Sequence, residues 1–172
     1  MPTHTSDLDS AYSWSRLGVS MVVATVGSVG MWAIILALPK IQAEFGVDRA
    51  GASFAYTATM IGFAFGNLLI GRWVDKIGIV PVLIAAALSL AIGFSGAALT
   101  HSLTVFSLLH GLFIGTGSAA CFGPLIADVS HWFNKRRGIA VAAAACGNYF
   151  AGALWPLILK GPLETAGWRP VF

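Results

Sequence analysis

The chain of 172 residues carries few charges and many apolar side chains. Charged residues make up 10% of it and hydrophobic residues 57%, and the mean hydropathy is +0.80, whereas an average soluble domain is about 25% charged. The net charge is +3, but the Lys and Arg residues are spread over short polar connectors, which argues against a nucleic-acid-binding protein. The composition excludes a soluble globular domain and predicts an all-α, polytopic membrane protein.

Five apolar runs are long enough to cross a bilayer, for which about 20 residues suffice. They cover residues 17–39, 50–74, 80–99, 103–129 and 138–159. The connectors are short, so neighbouring helices are expected to run antiparallel in one bundle. We therefore predict three regions, namely a cytoplasmic tail at 1–16, five transmembrane helices at 17–159, and an outer loop with the start of a sixth helix at 160–172.

The distribution of cations predicts the orientation. The polar residues before the first run carry Asp7 and Asp9, which is unlike a cleavable signal peptide. If the amino terminus is cytoplasmic, six cations share its side: Arg16, Arg72, Lys76, Lys135, Arg136 and Arg137. Four lie on the other side: Lys40, Arg49, Lys160 and Arg169. This excess favours a cytoplasmic amino terminus in the cell membrane, and we expect the chain to be the first part of a longer protein.

Small residues recur at four-residue spacing in three of the runs. These sets are Gly62 and Gly66, then Ser89, Gly93 and Ala97, then Gly111 and Gly115. Each set lies on one helical face and allows two helix backbones to approach closely. The spacing predicts a tightly packed bundle, and a contribution to rocking motion is the alternative.

The segment at 71–78, with the sequence GRWVDKIG, predicts a charged turn between the second and third runs. Gly71 would allow close helix contact, and Asp75 would accept hydrogen bonds or pair with a cation. Gly78 would allow a sharp reversal of the chain. Such a cluster would hold one conformation of the bundle, and a solvated connector is the alternative.

This segment resembles the signature between helices two and three of the major facilitator superfamily, G-x-x-x-D-R/K-x-G-R/K-R/K. The matching residues are Gly71, Asp75, Lys76 and Gly78, and the resemblance implies a role in gating. Ile79 and Val80 replace the last two basic residues of the signature.

The start of the fifth run resembles helix five of the monocarboxylate porter and oxalate:formate exchanger branches of that superfamily. The matching residues are Trp132, Phe133, Lys135, Arg136, Arg137, Gly138 and Gly147. The resemblance implies a twelve-helix transporter of two six-helix halves, with substrate bound near the midplane and alternating access. This chain would supply about five helices of the first half, and its partner would be the missing carboxyl-terminal half.

Polar side chains within the runs are candidates for a substrate or proton path, because they are costly to place against lipid. The candidates are Trp32, Asn67, His110 and Asn148. His110 can change charge near neutral pH, and a neutral, hydrogen-bonded packing residue is the alternative. The two asparagines would bind an anion or a neighbouring helix, and Trp32 would line a cavity, face lipid or pack on another helix.

The resemblance implies secondary active transport of a small organic anion, a mono- or dicarboxylate, by proton symport or anion exchange across the lipid bilayer. Alternatives are an uncoupled or drug-exporting facilitator and a non-transporting truncated membrane protein. An intramembrane serine protease is disfavoured, because His110 and Ser118 lie eight residues apart on one helix. Cys121 and Cys146 lie inside apolar runs and predict neither a disulfide nor a metal site. We predict no enzymatic activity and no cofactor.

Overall fold

The computed structural model describes residues 8–172. That part of the chain is helical, with short connectors and without strands. Five helical stretches are long and apolar enough to cross a membrane: Ala11–Phe45, Arg49–Ile77, Ile79–Leu99, Leu103–Trp132 and Arg137–Ala166. We number them the first to the fifth span. The prediction of an all-α polytopic bundle with five transmembrane helices is confirmed.

The first and fifth spans extend beyond the apolar runs. Residues 11–16 belong to the first helix, although a tail was predicted at 1–16. Residues 160–166 continue the fifth helix, although an outer loop with the start of a sixth helix was predicted at 160–172. The reason is that capping and backbone geometry set the ends. The Ser10 side chain accepts a hydrogen bond from a backbone N–H of the first turn, and the fifth helix ends at Gly167, whose φ is +87°.

The second connector consists of one residue. The second span runs as a helix to Ile77, the third begins at Ile79, and Gly78 between them has a φ of +84°. Residues with a side chain rarely adopt this backbone conformation, which explains why a glycine occupies position 78. The predicted charged turn at 71–78 is therefore helical up to Ile77, and the reversal is confined to Gly78.

The first and fourth spans are each interrupted. The first span consists of helices Ala11–Gly27 and Val29–Phe45, with Ser28 between them. The fourth consists of Leu103–Leu109, a π-helical turn at His110–Gly115, Thr116–Ala120 and Gly123–Trp132. The two interruptions lie side by side. Gly27 and Cys121 are so close that a Cβ atom on Gly27 would overlap the side chain of Cys121.

The fourth span packs against the small residues of its neighbours. A Cβ atom on Gly62 would overlap the backbone of Gly111, and one on Gly66 would come within 2.7 Å of the Ala119 side chain. On the third span, a Cβ atom on Gly93 would come within 2.6 Å of Ile114. The prediction that these glycines serve close helix packing is confirmed.

Candidate functional site

Asn67 lies half-buried on the second span, beside the interruption of the fourth. Its amide nitrogen donates to the Phe63 carbonyl at 2.9 Å. Its side-chain oxygen fills the space that a Cβ atom on Gly123 would need. The amide thus bonds within its own helix and contacts the fourth span.

His110 is completely buried in the π-helical turn of the fourth span. Its Nδ1 lies 3.1 Å from the Phe106 carbonyl, and its ring centroid lies 4.2 Å from that of Phe106 and 5.7 Å from that of Phe172. Its Nε2 is buried without a hydrogen-bond partner among residues 8–172. Aromatic rings therefore enclose this histidine.

Trp32 and Asn148 lie at the interface of the first and fifth spans. The Trp32 ring packs over Gly152, where an added Cβ atom would come within 2.6 Å of it. Asn148 precedes Gly152 by four residues and shares its helical face. In the described chain, the Trp32 Nε1 donor and the Asn148 Oδ1 acceptor are both buried without a hydrogen-bond partner. The structure brings these two candidates to one interface, whereas Asn67 and His110 make their contacts elsewhere.

Lys40, predicted to lie in an outer connector, lies in the helix Val29–Phe45 of the first span. It is half-buried. Within the part of the chain that the structure describes, the other half-buried charged side chains have partners, and Lys40 has no hydrogen bond or ion pair. The sequence feature that could have placed Lys40 in the helix is Ile41, which continues the apolar pattern beyond Pro39. Ile41 is completely buried in the structure.

Trp155 of the fifth span was also not among the predicted site residues. Its Nε1 donates to the Thr25 carbonyl of the first span at 2.9 Å, and the Thr25 hydroxyl donates to the Gly147 carbonyl at 3.0 Å. A Cβ atom on Gly147 would come within 2.8 Å of the Met21 carbonyl oxygen. Gly147 of the helix-five signature therefore allows the first and fifth spans to touch.

The other residues of that signature divide into a buried and an exposed set. Trp132 and Phe133 are buried, and their ring centroids lie 5.3 Å from Tyr12 and 5.1 Å from Trp14. The exposed residues are Lys135, Arg136, Arg137 and Gly138. The buried aromatic pair is thus held by the beginning of the first span.

Residues 9–16, which we name the amino-terminal clasp, bind the connector before the fifth span. The Asp9 carboxylate accepts hydrogen bonds from three consecutive backbone N–H groups, those of Asn134 at 3.2 Å, Lys135 at 3.0 Å and Arg136 at 3.3 Å. The Asp9 N–H donates to the Trp132 carbonyl at 3.1 Å. Asp9 has a φ of 55°, which aspartate tolerates better than most side chains.

Arg16 of the clasp pairs with Asp128 of the fourth span. Its Nε and one terminal nitrogen donate to the two carboxylate oxygens at 2.9 and 3.0 Å, and its guanidinium lies 4.7 Å from the Trp132 ring centroid. Arg136 lies instead over Trp14, at 5.9 Å. Asp128 therefore joins the fourth span to the first.

Replacing Arg16 by Gln is expected to lower the free energy of unfolding by about 1–3 kcal/mol, because Asp128 would lose a charge-assisted, bidentate partner in a partly buried place. Thermal unfolding of the purified protein in detergent measures this. The double variant Arg16→Asp with Asp128→Arg should recover much of the loss. A double variant as unstable as the sum of its single changes would contradict a direct pairing.

The clasp is expected to weaken in acid. The N–H of Lys135 holds the pKa of Asp9 below its usual value, with smaller contributions from Asn134 and Arg136 and an opposing effect of burial. The stabilisation is fully present above the pKa of the unfolded chain and is lost as the pH falls through the lowered pKa.

Asp9→Asn tests this, because asparagine tolerates the same backbone conformation without the charge. Melting temperatures of the two proteins should differ at neutral pH and converge in acid. A difference that stays constant with pH would contradict the role of the charge.

The loop signature makes few contacts within the described residues. No atom there lies within 4 Å of a Cβ atom placed on Gly71. Asp75 and Lys76 are exposed, and neither makes a hydrogen bond or an ion pair within residues 8–172. The close contact of Gly71, the pairing of Asp75 and the role of the signature in gating therefore stay predictions. Gly78 has a positive φ at the point where the chain reverses.

A sequence profile of the Major Facilitator Superfamily matches residues 20–172. The chain belongs to this superfamily. The resemblance of its two signatures to that family is thereby confirmed, and the chain is an integral, multi-pass membrane protein of a transporter family. This family assignment indicates a transporter rather than an enzyme.

Several curated relatives are transporters by name. Monocarboxylate transporter 11 of Mus musculus is 28% identical over 167 residues, which are 94% of this chain and 36% of the relative. Monocarboxylate transporter 4 of Mus musculus is 27% identical over 175 residues, 99% of this chain and 36% of the relative. The Fujikurins efflux protein of Gibberella fujikuroi is 28% identical over 123 residues, 70% of this chain and 26% of the relative. The chain spans about a third of the length of the curated relatives it matches.

Proposed function

We propose that this chain forms part of a twelve-helix secondary active transporter that carries a small organic anion, a mono- or dicarboxylate, by alternating access. The observation that carries the proposal is Lys40, a half-buried cation inside a span that lacks a counter-ion among residues 8–172. An ionisable side chain within a span is a candidate for a substrate or ion path. An anionic substrate would supply the missing negative charge.

The unpartnered Nε1 of Trp32 supports a second binding position. A carboxylate only accepts hydrogen bonds, and the Trp32 Nε1 is a buried donor without a partner in the described chain. Eight residues separate Trp32 from Lys40, which correspond to about 12 Å along a helix. A small anion would therefore bind Trp32 and Lys40 one after the other and not at the same time.

His110 has the role of a packing residue in this proposal. Its ring is enclosed by Phe106 and Phe172, and its Nδ1 is engaged by a backbone carbonyl. A proton carrier would need access to the substrate path, and the contacts of His110 lie within the bundle core. Proton coupling through His110 remains the alternative that the experiment below addresses.

Exposed charges support a cytoplasmic amino terminus in the cell membrane. At the end of the bundle that carries the clasp, the exposed charges of residues 8–172 are those of Arg72, Asp75, Lys76, Lys135, Arg136 and Arg137. At the opposite end they are those of Glu44, Asp48, Arg49, Lys160 and Glu164. Cations therefore prevail at the clasp end and acids at the other, as the positive-inside rule requires of a cytoplasmic clasp.

Export of an organic metabolite is a second candidate, favoured by the similarity to the Fujikurins efflux protein. The two candidates differ in what is carried. Efflux of an organic compound by a protein that moves no small carboxylate would favour the second candidate.

Transport by the complete protein in liposomes tests the proposal. Radiolabelled mono- and dicarboxylates should accumulate in a saturable manner, either driven by an inward proton gradient or in exchange for internal anion. Failure to move any organic anion in either arrangement would overturn the substrate class. His110→Gln should leave the dependence of transport on the proton gradient unchanged. If a folded His110→Gln variant lost that dependence, His110 would be the proton carrier.

A further inference from the structure

An apolar groove opens on the outside of the bundle between the second, third and fourth spans. Its lining residues include Leu69, Ile70, Trp73, Val82, Ala85 and Ala86. Ser89 and Thr116 also line it, but their hydroxyls already donate to the carbonyls of Phe113 and Leu112. The groove therefore offers an apolar surface with no demand for further hydrogen bonds.

Two cations lie near the lining residue Trp73, at one end of the groove. Lys76 follows Trp73 by three residues and is its neighbour on the helix surface. Arg72 lies one helical turn before Lys76, on the adjoining face, and is not a lining residue. Both cations are exposed, and so is Asp75. In the described residues none of the three forms an ion pair, because the two ion pairs of that part of the chain involve other side chains.

The surrounding end of the bundle is basic. Asp9 is bound by three backbone N–H groups and Asp128 by Arg16, so these two acids are already bound within the fold. Trp73 is 58% exposed beside Arg72, and such amphipathic rings are enriched at the level of lipid headgroups. A membrane–water interface at the level of Trp73 would place these cations among the lipid headgroups.

We propose that this groove is a binding site for an anionic phospholipid, with an acyl chain along the apolar lining and the phosphate at Arg72 and Lys76. The charge complementarity and the apolar continuation select a lipid over a soluble phosphate, which would use only the cations. Asp75 reduces the local charge, but the excess of exposed cations at this end favours an anionic headgroup over a neutral one. The site is independent of the transported substrate.

Native mass spectrometry of the complete protein, purified in mild detergent and incubated with phosphatidylglycerol or phosphatidylcholine, tests the proposal. The protein should retain phosphatidylglycerol in preference. Arg72→Gln and Lys76→Gln should each weaken that retention about fivefold at low ionic strength, and Lys76→Arg should preserve it. Arg49 and Lys160 are exposed at the opposite end of the bundle. The control variants Arg49→Gln and Lys160→Gln should not change the retention of phosphatidylglycerol.

A second variant tests the groove without changing charge. Ala85 is exposed in the groove, so Ala85→Phe should fill it and reduce the retention of lipid, whereas Ala153→Phe on the exposed face of the fifth span should not. Equal retention of the two lipids, or no effect of either Arg72→Gln or Ala85→Phe, would overturn the proposal. Displacement of phosphatidylglycerol by millimolar inorganic phosphate would also overturn it and indicate a site for soluble phosphate.

Discussion

Replacing Gly62 by valine is expected to separate the second and fourth spans and to prevent correct folding of the bundle. A Cβ atom at this position would overlap the carbonyl group of Gly111, which belongs to a helix backbone and cannot move aside as a side chain would. Overpacking in ordinary cores costs about 1–3 kcal/mol, and a clash with a backbone should lie at or above the upper end. The measurement is thermal unfolding, together with the monodispersity of the protein purified in detergent.

Gly71→Ala is the matched control on the same helix. Among residues 8–172, nothing lies within 4 Å of its Cβ position, so an alanine should be neutral or should stabilise the helix by up to about 1 kcal/mol. If Gly62→Val melted at the temperature of the unmodified protein, the close contact between the second and fourth spans would be wrong.

Lys40→Gln is expected to abolish most of the transport of organic anions by the complete protein. A hydrogen bond to a charged group contributes about 1.5–3 kcal/mol, so its loss corresponds to about 10- to 100-fold weaker handling of the anion. The stability of the fold should change little, because Lys40 has no hydrogen bond or ion pair in the described part of the chain. Uptake and melting temperature, measured on the same preparation, separate these two effects.

Two further variants make the Lys40 prediction specific. Lys40→Arg keeps the charge and should retain part of the transport, and Lys160→Gln removes an exposed cation of the fifth span and should have no effect. Equal uptake by Lys40→Gln and the unmodified protein would remove Lys40 from the substrate path. A lowered melting temperature of Lys40→Gln would indicate a structural role instead.

The number and type of the spans could be predicted because hydropathy is a local property of the sequence. Each of the five predicted runs lies within one of the five spans of the structure. The ends of the first and fifth helices were less predictable, since they depend on the cap at Ser10 and on the backbone at Gly167. Hydropathy falls off before the hydrogen-bonded helix ends, which is why residues 160–166 were taken for a loop.

The candidate site was predictable only in part. Trp32 and Asn148 stood out as polar groups in apolar runs. Trp32 packs on Gly152 of the fifth span, and Asn148 shares the helical face of Gly152. Lys40 did not stand out, because a cation after Pro39 resembles the start of a connector. Its importance depends on the charges around it, and only the assembled bundle reveals that none of the described residues neutralises it.

The amino-acid sequence by itself determined that the chain enters a membrane, how many times it can cross, and which superfamily its signatures resemble, because these follow from composition, run length and short motifs. Only the tertiary structure decided which charges are paired. Arg16 and Asp128 are separated by 112 residues, and Asp9 reaches backbone groups more than 120 residues away. Such contacts arise when distant helices pack against one another, and the local pattern of a sequence carries no information about that packing.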